Sequence, residues 1–455
     1  MINNSGKFNE LRNRFHEFHY RNFTYSLINN ELKINFHFLI DDFVSFRPSL
    51  TFQNCEFYHF EKIKEEQMRS LIFHIGMVEL VSYWKALVPK KVIIHPYFLN
   101  EDQLNFWRKL YFHGLGEFFY LNGIEPDYDG FMTIECVGDE PISSFRIDLF
   151  DEVIIPVGGG KDSVVTLELL KDISDSNLAL IVNPRQASLA TAQIAGFSDK
   201  LLIIKRTIDS ELLRLNAEGF LNGHTPFSAM LAFVTLLAAA ASGHKHIALS
   251  NEGSANEPTV AGTKINHQYS KSLEFETDFR DYVAANISPD FNYFSFLRPL
   301  SELQIASIFA TFKNHFPFFR SCNVGSKQDI WCGKCPKCLF TFIILSPFVE
   351  PQVLEQIFGH NLLEDKDMEK YFDELTGKAD VKPFECIGTV DEVNVALCLT
   401  RKKYDNLPFL LKKHMSYFSD NQCDKYKIDL TEISNEHFLL ERFVKLIKNS
   451  LRFYE

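Results

Sequence analysis

The 455-residue sequence has no apolar run long enough to cross a bilayer. Its longest, Phe227 to Ala241, is broken by Ser228 and Thr235 and falls short of the ~20 residues a spanning helix needs. The opening Met-Ile-Asn-Asn-Ser-Gly-Lys has no apolar signal core. An excess of positive charge is also missing. Forty-seven Lys and Arg stand against 59 Asp and Glu, a net charge of −12, which argues against nucleic acid as a partner while leaving room for a local basic pocket. The 45 phenylalanines show no repeat period. Nine cysteines without a leader favour a metal site over disulfides and a cytoplasmic location.

What is present is a soluble globular composition, 46% hydrophobic and 23% charged, with material for two or three domains. Residues 18–40 alternate, with Leu32, Ile34, Phe36, Phe38 and Ile40 on one face. Asn29-Asn30 supplies a hairpin turn. Residues 64–87 and 101–122 carry helical patterns. From 151 the pattern becomes strand 153–157, helix 162–172, strand 178–182, helix 187–195, strand 200–204, helix 226–242 and strand 245–250. That alternation predicts an α/β fold with a parallel sheet. After about 345 the chain reads as mostly helical. Leu362 to Leu375 is acidic and reads as a solvated stretch, and Ser434 is placed to cap a final helix carrying Phe438, Leu439, Phe443, Val444, Leu446 and Ile447. The expected division is an N-terminal α+β domain over 1–148, an α/β domain over 149–345 and a helical region over 346–455.

Ligands of parallel sheets bind beyond the carboxyl ends of the strands. The segment there after strand 153–157 is Gly158-Gly159-Gly160-Lys161-Asp162-Ser163. Strand, glycine turn and helix together point backbone N–H groups and a helix N-terminus at an anion. A bare glycine triplet is also an ordinary tight turn; the Lys-Asp-Ser tail sets this one apart. Lys161 would add positive charge beside a phosphate, Asp162 could hold a divalent cation, and Ser163 could donate a hydrogen bond. The spacing excludes a Walker A loop and a dinucleotide fingerprint.

Cys322, Cys332, Cys335 and Cys338 have the spacing C-x9-C-x2-C-x2-C, which brings four thiolates to one ion. Lys334 and Lys337 offset part of their charge. Zinc in a closed structural site is the preferred occupant. An iron–sulfur cluster uses the same ligands. Cys386 and Cys398 read as buried structural cysteines.

The glycine stretch resembles the pyrophosphate-binding PP-loop of the N-type ATP pyrophosphatases, Ser-Gly-Gly-x-Asp-Ser, with Gly158 where the serine usually stands. Cys-Gly-Lys-Cys-x-x-Cys resembles the zinc loop of the deazaguanine-nitrile synthases, another branch of that superfamily. Three polar strings, 222–228, 250–257 and 266–272, crowd the expected ligand edge with Asn, Glu, His and Lys. Together with Phe73-His74-Ile75-Gly76-Met77 and the glycine loop, they resemble the bacterial peptidoglycan-precursor epimerases. That family inverts the terminal L-glutamate of UDP-N-acetylmuramoyl-L-alanyl-L-glutamate.

The resemblance implies a PP-loop pyrophosphatase core, use of ATP with release of AMP and pyrophosphate, Mg²⁺, and a UDP-linked muramoyl dipeptide as substrate. Lys161, Asp162, His224 and Glu252 are the catalytic candidates, with Glu257 and His267 beside them, and Gly158–Ser163 is the nucleotide loop. Lys205, Arg206, Lys264 and Lys271 could neutralise a diphosphate or carboxylate, and each is equally readable as surface charge. Two other readings stand beside this one. An ATP-dependent ligase would share the loop but need an amine or sulfur donor, and no appended glutaminase or tRNA-binding domain is visible. A zinc-stapled nucleotide-binding module would form no AMP.

Overall fold

The computed structural model describes residues 3–260, 262–419, 423 and 430–451. Its eleven described strands are β1 (Glu17–Ile28), β2 (Glu31–Ile40), β3 (Val44–Phe46), β4 (Ser49–Phe52), β5 (Lys91–Ile94), β6 (Thr133–Cys136), β7 (Phe150–Pro156), β8 (Leu178–Val182), β9 (Leu201–Thr207), β10 (His244–Leu249) and β11 (Asn292–Ser295). They form one mixed sheet in the order β11-β10-β7-β8-β9-β4-β2-β1-β5-β6, with β3 paired to β2. The pairs β10-β7, β7-β8 and β8-β9 are parallel, as the alternating pattern predicts, and β11, which that pattern did not include, pairs parallel with β10. Among the described residues no helix is long and apolar enough to cross a membrane.

The N-terminal hairpin forms because Asn29 and Asn30 accept φ of 50° and 59°, which the tight turn needs at both central residues. The alternating residues of β2 are then all buried. A helix, Ser5–Arg14, precedes the hairpin. β4 pairs antiparallel with β9, Ser49 opposite Thr207 and Phe52 opposite Ile204, so one ladder runs from the N-terminal strands into the parallel set.

The helix Glu65–Trp84 is buried on every side from Ser70 onward. Gly76 lets it lie directly on β1, since a Cβ there would stand 2.0 Å from the Tyr20 hydroxyl oxygen. Phe73 stacks on Tyr20 at 5.6 Å. His74 bonds the Ser70 carbonyl at 2.7 Å and the Tyr282 hydroxyl at 3.1 Å. Burial pushes His74 down to about 4, so it is a neutral core histidine. The string Phe73–Met77 is therefore a packing element.

The C-terminal region is helical, with Pro336–Leu345, Pro351–Phe358, Val390–Arg401, Phe409–Tyr417 and Glu441–Leu451 among its helices. Two expectations are corrected there. Leu362, Leu363, Phe372 and Leu375 are buried, so the acidic stretch is one face of an amphipathic segment and not wholly solvated. Ser434 does not cap the last helix; its N–H bonds the Pro299 carbonyl, and the helix begins at Glu441. Its Phe443 packs on Phe294 at 5.0 Å. Cys398 is joined to Cys423 in a disulfide.

Candidate active site

β7 and β8 lead the chain one way across the sheet, and β10 and β11 lie on the other side of β7. Where the strand order reverses, the loops diverge and leave a crevice. The glycine loop follows β7 and the Asn251–Glu257 segment follows β10, so both sit at that crevice.

Gly159 has φ +89°, and a Cβ there would lie 2.7 Å from the Ser188 nitrogen, so only glycine fits. The Ser163 hydroxyl accepts the Gly158 N–H at 3.0 Å and closes the loop. The Arg320 N–H bonds the Gly159 carbonyl at 2.8 Å, and the Arg185 guanidinium bonds the Gly158 carbonyl at 3.2 Å. The helix Lys161–Leu170 begins at once, with Gly160 at its N-cap.

Lys161 is buried, and its ammonium lies between the carboxylates of Asp162 and Glu302. Glu302 was not foreseen from the sequence. Burial pushes its carboxyl well above the usual range, and the neighbouring Asp162 and Glu252 push the same way, against Lys161. Asp162 is held low: burial opposes this, but Lys161, Lys337 and Lys271 outweigh it. Glu252 is buried in the same field. Arg298, itself buried, clamps this floor. It donates to the Glu252 carbonyl at 2.6 Å, to Glu276 Oε2 at 3.1 Å and to the Lys271 carbonyl. Replacing Arg298 by Met is expected to cost about 3–5 kcal/mol, because Glu276 would be left charged and unpaired. Urea unfolding reads this directly, and a loss below about 1 kcal/mol would mean the pair is not held in solution.

A second cluster adjoins the first. His267 Nδ1 bonds Glu117 Oε2, and His224 Nδ1 lies 3.6 Å from the same oxygen. The two imidazoles are 4.6 Å apart. Burial and the charge on His267 take His224 down to about 4. Burial acts on His267 in the same direction, but Cys386 and Glu117 outweigh it and lift it to about 10. Lys271 Nζ donates to Cys386 Sγ at 3.2 Å. Lys271 also feels the charges of Glu252 and Asp162, which ties the two clusters together. Two cavities of about 510 and 520 Å³ flank the segment Thr263–Asn266 just before His267, the second lined by Phe112, Phe119 and Tyr120.

Other candidates lie elsewhere. Glu257 pairs with Lys382. Arg206 is committed to Glu79, at 2.9 and 3.0 Å. Lys205 is exposed, and Lys264 is exposed at the rim of both cavities. Glu117 gave no sequence signal at all.

The four clustered cysteines converge. Cys322–Cys335 and Cys332–Cys338 are 3.7 Å apart at sulfur, and Cys335–Cys338 is 3.5 Å. A tetrahedron with metal–sulfur bonds of about 2.3 Å has edges of about 3.8 Å, so the set fits one ion. Gly333, at φ +66°, turns the chain between Cys332 and Cys335.

Two family models match in sequence order. The MurL N-terminal domain matches residues 9–296 and the MurL C-terminal domain matches residues 318–422. Among curated proteins, the UDP-N-acetyl-alpha-D-muramoyl-L-alanyl-L-glutamate epimerase of Xanthomonas oryzae pv. oryzae is 36% identical, over 71% of this chain and 73% of its own. Epimerases of the same name from a Micromonospora species and from Salinispora tropica are each 35% identical. They cover 71% and 70% of this chain, and 73% and 70% of their own. No solved structure matches significantly. The glycine loop, the Asn251–Glu257 segment and His267 all fall inside the first matched domain, and the four metal-site cysteines and Cys386 inside the second. This chain belongs to the MurL family.

Proposed function

We propose that this protein inverts the terminal L-glutamate of UDP-N-acetylmuramoyl-L-alanyl-L-glutamate to D-glutamate, in an ATP-dependent reaction that releases AMP and pyrophosphate during peptidoglycan precursor synthesis. The observation that carries the reading is the similarity, over seven-tenths of the chain, to relatives named for that epimerisation. The glycine loop at the sheet's switch point supports the ATP-dependent part, as a PP-loop pyrophosphatase core would require. A nucleotide-linked precursor also suits a cytoplasmic enzyme.

The chemistry explains why such a loop would serve an epimerase. A free carboxylate hardly acidifies its α-proton, because a carbanion would form beside an existing negative charge. Adenylating the carboxylate removes that charge and turns the carbonyl into an electron sink. The amides of Gly158–Gly160 and the N-terminus of the helix Lys161–Leu170 would face the phosphates. Asp162 would hold Mg²⁺, which would neutralise charge on the breaking phosphoanhydride. Lys271 and Lys337 add positive potential at the same place. The cavities beside His267 leave room for the nucleotide and muramoyl parts, whose binding energy can serve the chemical step. The four cysteines would hold a structural zinc ion.

Incubation with the UDP-linked substrate, ATP and Mg²⁺ in D₂O is expected to give D-glutamate product with deuterium at Cα, together with AMP and pyrophosphate. AMP accumulating while the product keeps its α-hydrogen and L configuration would rule the reading out and favour a ligase. No AMP at all would favour a binding module.

A further inference from the structure

We propose that Cys386 is the base that removes the glutamate α-proton, with His267 and Lys271 holding its sulfur as a thiolate. This rests on the epimerase reading above and names a residue for its central step. The sulfur is 3.2 Å from Lys271 Nζ and within hydrogen-bonding reach of His267, whose ring is anchored on Glu117. Buried structural cysteines are normally surrounded by apolar side chains. This one has two cationic neighbours and stays partly accessible. Burial would raise the thiol, but Lys271, His267 and Lys337 outweigh it and hold it down to about 6, against the adjacent Glu385.

Two further observations place a ligand here. Lys271, in contact with Cys386, also feels the charge of Asp162 on the glycine loop, so the sulfur and the loop share one charged neighbour. Gln268, 5% exposed, donates from Nε2 to the carbonyl of Ile387, the residue after Cys386. Its Oε1 is buried with no protein partner. Buried acceptors are rarely left unmatched, so a donor on a bound molecule fits that position.

The step balances with water as the only other reactant, which afterwards cleaves the mixed anhydride to the free carboxylate and AMP. The Cα–H bond breaks and an S–H bond forms, and the bonding pair moves into the mixed-anhydride carbonyl to give an enolate. The enolate then collapses, taking a solvent-derived proton on the opposite face and restoring the carbonyl. The thiol returns its proton to solvent. Adenylation precedes all of this and needs no thiolate.

The test compares the wild type with Cys386→Ser and Cys386→Ala in D₂O with ATP, Mg²⁺ and the UDP-linked substrate. Deuterium incorporation at Cα is expected to fall by about 100-fold or more in both variants. Pyrophosphate release and AMP formation continue, with L product that keeps its hydrogen. Either variant exchanging deuterium at the wild-type rate overturns the role of Cys386 and leaves the epimerase reading intact. Wild-type protein that forms no AMP refutes that reading and this inference with it. Alkylation of the native enzyme with iodoacetamide covers variants that do not fold. Loss of exchange should track carbamidomethylation of Cys386 on peptide mapping, and an enzyme fully modified there that still exchanges overturns the proposal.

Discussion

Replacing Asp162 by Asn is expected to lower AMP and pyrophosphate formation on the order of 10³-fold while the protein stays folded. Asp162 sits in the first turn of the helix Lys161–Leu170 and its side chain is 28% exposed. Asn keeps its volume. The Lys161 ammonium keeps Glu302 as a partner, so no buried charge is orphaned. What is lost is the negative charge that would hold Mg²⁺ against the phosphates. Glu302→Gln is the contrasting variant. Glu302 is 1% exposed and its replacement would leave Lys161 with the partly exposed Asp162 as its only carboxylate partner. That change should cost stability, about 1.5–3 kcal/mol for a buried hydrogen bond to a charged group. Circular dichroism and thermal melts separate the two outcomes. A folded Asp162→Asn protein that turns over ATP at the wild-type rate would remove the loop from the chemistry.

Loss of the metal is expected to have the largest effect on stability. Purified protein should contain one zinc ion per chain, and Cys335→Ser should contain none. Cys335 is the N-cap of the helix Pro336–Leu345, and both it and Cys338 are buried. Without the ion, converging thiolates repel one another inside the core. Structural zinc contributes about 10–16 kcal/mol in small zinc-finger peptides. Here much of the surrounding core persists without it, so partial unfolding around residues 318–345 is the expected result. That segment also touches the glycine loop: Arg320 bonds the Gly159 carbonyl, and a Cβ on Gly160 would stand 3.3 Å from the Ser321 Cβ. Activity should therefore fall together with the metal, not independently of it. Elemental analysis and thermal unfolding decide the matter. Iron with visible charge-transfer absorption, or a stable metal-free protein, would overturn the assignment.

Much of the architecture was legible in the residues alone. The runs at 153–157, 178–182 and 200–204 read as strands because apolar, β-branched segments of that length are too short for buried helices. Asn29-Asn30 fixed a hairpin because few residues accept two positive φ angles in succession. The glycine turn and the convergence of the cysteines were legible for the same reason: each is encoded within one short stretch of chain. Periodicity was less informative where burial is uniform. The helix Glu65–Trp84 packs on all sides, and its central string, which helped carry the family resemblance, does so as packing, with Gly76 there for contact with β1. The acidic stretch at 362–375 misled in the opposite direction, since composition hid its apolar face.

The site itself was decided by the tertiary structure. Lys161 meets Glu302 across 141 residues, His267 meets Glu117 across 150, and Lys271 meets Cys386 across 115. No local pattern encodes such pairings. They depend on which loops the strand order delivers to one edge of the sheet. The sequence determined the elements, the glycine loop and the four-cysteine spacing, because periodicity, turn chemistry and ligand spacing act over a few residues. Only the fold decided which buried charges share a crevice, because desolvation and Coulombic coupling act through space, whatever their separation along the chain.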